Sequence, residues 1–156
     1  MKDQRFIYSG KPFKDVSIKP VTYIEDYFRA EIELESDVFY TLRKKNNILP
    51  YRLADSTETE LEQIKAFFLK NSSTFFFLFN NSELIGSVLL LNNYIQSLAI
   101  AEKYRRKHFG EKLSKFAINY ALEKGYERIE LKVMDGNMAA QKLYEKIGFR
   151  RVEETS

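Results

Sequence analysis

Asn137-Met138-Ala139-Ala140-Gln141-Lys142-Leu143-Tyr144-Glu145-Lys146-Ile147-Gly148-Phe149 reads as one short helix with both ends marked. Asn137 suits the N-cap, because its side-chain oxygen can accept from a first-turn amide. Gly148 suits the exit, where the backbone turns left-handed. Between them Ala140, Leu143, Tyr144 and Ile147 share one apolar stripe, so this helix must lie against something. Upstream, residues 127–134 alternate as a strand should. Before that strand, Leu113, Phe116, Ala117 and Tyr120 give residues 110–124 a helical stripe closed by Gly125. Downstream, residues 149–154 predict a last short strand.

Further out the period changes. Phe75-Phe76-Phe77-Leu78-Phe79 is wholly apolar, which predicts a strand buried on both faces. Asn80–Glu83 turns the chain into strand Leu84–Leu91, and Asn92-Asn93 turns it again into Tyr94–Ala101. Asparagine tolerates left-handed backbone, so both turns predict hairpins. Residues 16–21 alternate like a strand with Pro20 at its end. Thr22-x-x-Glu25 has the form of a capping box opening a helix with Ile24, Tyr27 and Phe28 on its apolar face. Helix continues over Glu31–Lys45 with a break near Ser36. Asn46–Ala54, holding Pro50, is a loop. Thr57-x-x-Glu60 opens another helix with Leu61, Ile64 and Phe68 on one side. The order predicts a mixed sheet covered by helices, in one domain over residues 1–156.

Composition narrows the chemistry. The chain has 156 residues, 44% hydrophobic and 30% charged, an ordinary balance for a packed domain. With no cysteine and one histidine, thiolate catalysis and Cys- or His-cluster metal sites drop out, so no metal is expected. A net charge of +3 gives no chain-wide basic stripe for nucleic acid. No apolar run reaches the roughly 18 residues of a membrane span. Phe6-Ile7-Tyr8 is too short for a signal-peptide core, so a cytoplasmic location is the expectation.

Tyr104-Arg105-Arg106-Lys107-His108-Phe109-Gly110 joins the strand ending near Ala101 to the helix starting near Gly110. A helix start offers unpaired N–H groups and the positive end of the helix dipole. Phosphate binds there readily, and Gly110 lets backbone come close.

Together, Arg105-x-x-His108-x-Gly110 and Asn137-x-x-Ala140-x-x-Leu143-Tyr144-x-x-x-Gly148-Phe149 resemble the GNAT superfamily of acyl-CoA N-acetyltransferases. The resemblance covers Ile85–Phe149. In that family the first motif reads Gln/Arg-x-x-Gly-x-Gly/Ala, so His108 stands in place of its first glycine. The resemblance implies a three-layer α/β sandwich: a mixed, mostly antiparallel sheet with helices on both faces. It implies acetyl-CoA as co-substrate and an amine as acceptor. Arg105 and the backbone amides around Arg106, His108, Gly110 and Glu111 would hold the pyrophosphate. Leu98 and Ile100, on the strand Tyr94–Ala101, would pair with pantetheine and polarise the thioester carbonyl. Asn137 would face the cofactor, and the Tyr144 hydroxyl would protonate the departing thiolate.

For the proton of the attacking amine the sequence offers only Glu130, with solvent as the alternative. The acceptor pocket is expected within residues 27–54, among Tyr27, Phe39, Tyr40, Arg43 and Tyr51. Domains of this family end with two strands after the Gly-Phe, whereas this sequence has room for one. Either 149–154 then pairs with 127–134, or another subunit covers that edge in a homodimer. Two other readings use the same residues. One is a silent CoA-binding module. The other is a nucleic-acid binder built on Arg105, Arg106, Lys107, Lys112 and Lys115, which would show steep salt dependence.

Overall fold

In the computed structural model, which describes residues 3–153, the chain pairs seven strands into one sheet. The strands are β1 (Asp3–Tyr8), β2 (Val21–Thr22), β3 (Phe75–Asn80), β4 (Glu83–Leu91), β5 (Tyr94–Ile100), β6 (Ile129–Met134) and β7 (Arg150–Val152). Their spatial order is β2-β3-β4-β5-β6-β1-β7. Every pairing is antiparallel except β5 with β6, which is parallel. The helices are α1 (Phe28–Val38), α2 (Tyr40–Lys45), α3 (Glu58–Lys70), α4 (Phe109–Glu123) and α5 (Met138–Ile147).

Alternation in the apolar strand builds two cores. Phe75 and Phe77 join Phe28, Ile32, Phe68 and Leu89 on the side of α1 and α3. Phe76 and Leu78 join Val88, Leu113, Ala117, Ile118, Tyr144 and Ile147 on the side of α4 and α5. A strand facing helices on both sides has no polar face to keep, which is why the run is all apolar. The expected layers, with helices on both faces of a mixed sheet, are therefore present. Both asparagine turns form, with Asn81 and Asn92 at φ 56° and 58°. The Thr57–Glu60 capping box also forms, in both directions.

Three local expectations are corrected. Of the first predicted strand, 16–21, only Val21 pairs with the sheet, in the two-residue β2, since Pro20 lacks the N–H a ladder needs. The Thr22-x-x-Glu25 box does not cap: a 3-10 turn, Glu25–Tyr27, follows Ile24 without any side-chain cap, and α1 starts at Phe28. The break in the next helix falls at Phe39 rather than near Ser36. Ser36 instead donates to the Ile32 carbonyl at 2.7 Å and accepts from the Ala54 amide at 2.8 Å, tying the 46–55 loop to α1.

The largest correction concerns the sheet edge. β7 does not pair with β6; residue 154, the end of that predicted strand, lies outside the described residues. The N-terminal segment, unread as a strand because three apolar residues are too few to show a period, runs between them as β1. It pairs with β6 from Asp3↔Met134 to Tyr8↔Ile129, and with β7 from Arg5↔Val152 to Ile7↔Arg150. The chain therefore covers its own β6 edge, and the reason for invoking a second subunit there is gone.

Candidate active site

Strands β5 and β6 part almost at once. They pair only at Tyr94↔Glu130 and Ile95↔Leu131, and beyond Ile95 the β5 edge turned away from β4 has no β6 partner. A register shift between Leu89 and Leu90 bends the β4–β5 ladder at the same level. The sheet thus opens into a V, with unpaired main-chain groups of β5 on one wall and α5 on the other.

A cavity of about 530 Å³ occupies one side of this opening. Leu98, Ile100, Arg105, Arg106, His108, Gly110, Glu111, Asn137 and Tyr144 all line it, so the sequence-selected residues come together in one place. The turn before α4 supplies its anion-binding character. Arg106 and His108 both take left-handed backbone, at φ 63° and 67°. Such reversals aim successive amides inward as a nest does. The first intrahelical bond of α4 runs from the Lys112 amide to the His108 carbonyl at 3.0 Å, so the Phe109, Gly110 and Glu111 amides precede it. No side chain caps them. Arg105 and Arg106 stand exposed on the rim.

Glu111 does not oppose an anion with a free carboxylate. It pairs with Lys115 at 3.0 Å and Lys146 at 2.9 Å, and these partners hold it below the usual carboxylate range. Gly110 faces the gap between β5 and α5, where a Cβ would make ordinary contacts at 3.5 Å to Leu143, 3.7 Å to Ile100 and 3.9 Å to Leu98. A long pantetheine-like arm with a diphosphate end fits this donor set: a cradle without a side chain, bare amides and rim cations.

A second cavity of about 430 Å³ meets the first at Phe39, Leu42, Leu98, Asn137, Ala140 and Tyr144. Asn137 accepts from the Ala140 amide at 3.2 Å, the cap its position predicts. Tyr144 is 7% exposed, and its ring packs edge-on against Phe149 at 5.4 Å. Burial raises the pKa of its hydroxyl, and the neighbouring Ser114 hydroxyl pulls the other way. Ser114 Oγ is itself buried without a hydrogen-bond partner, so their approach falls short of bonding geometry. Tyr144 therefore keeps its proton through the neutral range, as a donor must.

Two of the residues expected on the acceptor side reach the second cavity. Phe39 and Arg43 line it. Tyr27 does not; it packs on Phe77 and Phe79. Tyr40 and Tyr51 pair with each other, centroids 6.4 Å apart, and line neither cavity. Glu130 is in neither lining. The Arg5 guanidinium holds it from β1, donating from Nε at 2.9 Å, and pushes its carboxyl below the ordinary range. Sequence reasoning missed Asp3, Glu35 and Tyr94 on this wall. The sequence carried only a weak signal for Glu35, its place one helical turn after Glu31, because Arg29, Glu33 and Asp37 make charge ordinary on this segment.

Comparison with known proteins agrees with this geometry. The model of the acetyltransferase (GNAT) family matches residues 37–149. An uncharacterised N-acetyltransferase, YobR, of Bacillus subtilis is 34% identical over 85 residues, which is 52% of this chain and 34% of that protein. N-acetylaspartate synthetase of Danio rerio is 29% identical over 135 residues, 82% of this chain and 47% of that protein. The chain thus spans less than half the length of these relatives. The PaiA N-acetyltransferase of Thermoplasma acidophilum, solved in complex with coenzyme A, shares the fold with a TM-score of 0.64 at 20% identity, covering 90% of this chain and 93% of that one. With both cavities meeting at Tyr144 and the family model spanning most of the sequence, this chain belongs to the acetyltransferase (GNAT) family.

Proposed function

We propose that this chain moves the acetyl group of acetyl-CoA directly to an amine, with Tyr144 as the general acid. The observation that carries the reading is the convergence of the open β5 edge, the basic turn and α5 on one cleft. That cleft joins a second cavity at the Tyr144 ring. Acetyl-CoA, as substrate, supplies the thioester. Arg105 and the amides at Arg106, His108, Gly110 and Glu111 would hold the diphosphate, where the α4 dipole adds attraction. Main-chain N–H groups near Leu98 and Ile100 would face the thioester carbonyl and stabilise the charge developing on its oxygen. Asn137, fixed by its own cap, would border the pantetheine path. The amine would reach the carbonyl carbon from the second cavity, and Tyr144 would give its proton to sulfur as the C–S bond breaks. No covalent enzyme intermediate is required, in keeping with a chain that has no cysteine.

The nucleic-acid alternative finds its cations dispersed. Lys115 is paired with Glu111 at 3.0 Å, and Lys107 and Lys112 lie over the Tyr104 and Phe109 rings. None of the described helices is long and apolar enough to cross a membrane. A cytoplasmic location belongs to this proposal.

The deciding experiment is thiol release from acetyl-CoA across a broad panel of amines. Binding has its own readout. CoA at a hundred times its dissociation constant is expected to stabilise the fold by about 2.7 kcal/mol. A melting curve indifferent to millimolar CoA would overturn the proposal, and CoA binding without any turnover would favour the silent module.

His108 tests the turn. At φ 67° histidine is tolerated but glycine is easier. His108→Gly is expected to leave CoA affinity unchanged or tighter. His108→Val puts a β-branched residue into left-handed backbone at a cost of about 1–2 kcal/mol. It should weaken CoA on the order of tenfold. Calorimetric titration showing Val tolerated and Gly harmful would mean the turn does not carry the diphosphate.

A further inference from the structure

The attacking amine must lose protons, and Glu130 is not in the cleft. The α1 helix brings two carboxyls there instead. Glu31 is 0% exposed, and its Oε1 accepts from Ser87 Oγ at 2.6 Å across the α1–β4 interface. Its Oε2 is buried with no partner at bonding geometry, and its polar neighbour is the Glu35 carboxyl one turn on. Glu35 lines the second cavity, the one that reaches Tyr144. Buried Glu31 and half-buried Glu35, one helical turn apart, cannot both ionise cheaply, so the pair shares a proton. Burial and its neighbour push Glu31 up. Burial also raises Glu35, against which the approach of the Glu31 carboxyl and the charge of Arg43 pull down. Arg43 is held in place on α2, donating from Nε to the Pro50 carbonyl at 2.7 Å. From β4 the Ser87 hydroxyl faces Glu31, and Tyr23 senses the Glu31 charge. Asp3 of β1, Tyr94 of β5 and Lys132 of β6 line the same cavity as Glu35.

Resting on the acetyl-transfer reading, we propose that Glu35 receives the acceptor's ammonium and takes its proton, while buried Glu31 keeps its own proton and holds Glu35 as the carboxylate. The substrate class is a primary amine presented in its protonated form. One proton passes from the ammonium to a Glu35 oxygen and leaves later to solvent. The freed nitrogen lone pair forms the C–N bond. The C–S bond breaks with its electron pair on sulfur, which takes the Tyr144 proton. The second nitrogen proton restores Tyr144. The sum is an amide, a free thiol and one proton released.

Glu35→Gln keeps the shape and removes the base. With CoA affinity and melting temperature at parent values, kcat should fall by about 100-fold or more, and the rising limb of the pH–rate profile should vanish. Glu35→Asp should restore that limb with part of the rate. Parent turnover in Glu35→Gln, or lost turnover with the limb intact, would overturn the inference. The pair is also readable without turnover. In protein with carbon-13-labelled glutamate carboxyls, one of the two should remain protonated at neutral pH, and that signal should disappear in Glu31→Gln. Two carboxylates both ionised in the ordinary range would overturn it. Failure of the acetyl-transfer reading looks different, since CoA would then leave the parent's melting temperature unmoved.

Discussion

Tyr144→Phe is expected to lower kcat by about 10²–10⁴-fold while CoA affinity and melting temperature stay near the parent values. The two halves of this result come from different atoms. The ring is what the fold uses: it is 7% exposed, packs on Phe149 and shares a core with Ala117, Ile118 and Ile147. Phenylalanine keeps that ring and its buried area. The hydroxyl is what the proposed reaction uses. Its residue lines both cavities, and the hydroxyl is held protonated by burial with Ser114 a neighbour that does not reach bonding geometry. A structural hydroxyl would behave in the opposite way, costing on the order of 1 kcal/mol of stability with turnover near normal. Steady-state kinetics and one melting curve on this variant separate the two. A stable variant with parent turnover would remove Tyr144 from the chemistry.

Phe6→Ala should destabilise the fold by about 3–5 kcal/mol, the usual cost of emptying a phenylalanine site in a closed core. Phe6 is 1% exposed on β1, opposite Leu131 of β6 and Arg151 of β7. Against a total stability of roughly 5–15 kcal/mol this is a large fraction. It corresponds to a fall in melting temperature on the order of 10 °C for a domain of this size. The effect should extend to the cleft. Tyr8, two residues on, packs on Phe149 at 5.6 Å, and Phe149 packs on Tyr144. Loss of β1 order therefore removes the backing of Tyr144, and CoA should recover part of the lost stability by binding only the folded form. A variant melting within a degree or two of the parent would show that β1 is an ornament rather than part of the sheet.

The sequence by itself determined whatever rests on local chemistry. Asn137 and Gly148 bound α5 because a cap needs a side-chain acceptor and an exit needs left-handed backbone. The wholly apolar run Phe75–Phe79 implied helices on both sides of the sheet, since no polar residue interrupts it. The left-handed histidine and the bare Gly110 belong to a turn whose spacing was visible before any coordinates. Only the tertiary structure decided which distant segments meet. The place of β1 between β6 and β7 is a pairing across more than a hundred residues, and three apolar side chains carry no mark of it. The same insertion brings Arg5 to Glu130 and takes that carboxylate out of the cleft. Glu31 and Glu35 looked like ordinary charged helix residues, because a sequence shows charge but not burial. Their closeness to Ser87, Arg43 and the cavity depends on how α1 crosses β4. Burial and long-range contact are what turn two common glutamates into a proton-sharing pair, and neither quantity is local to the chain.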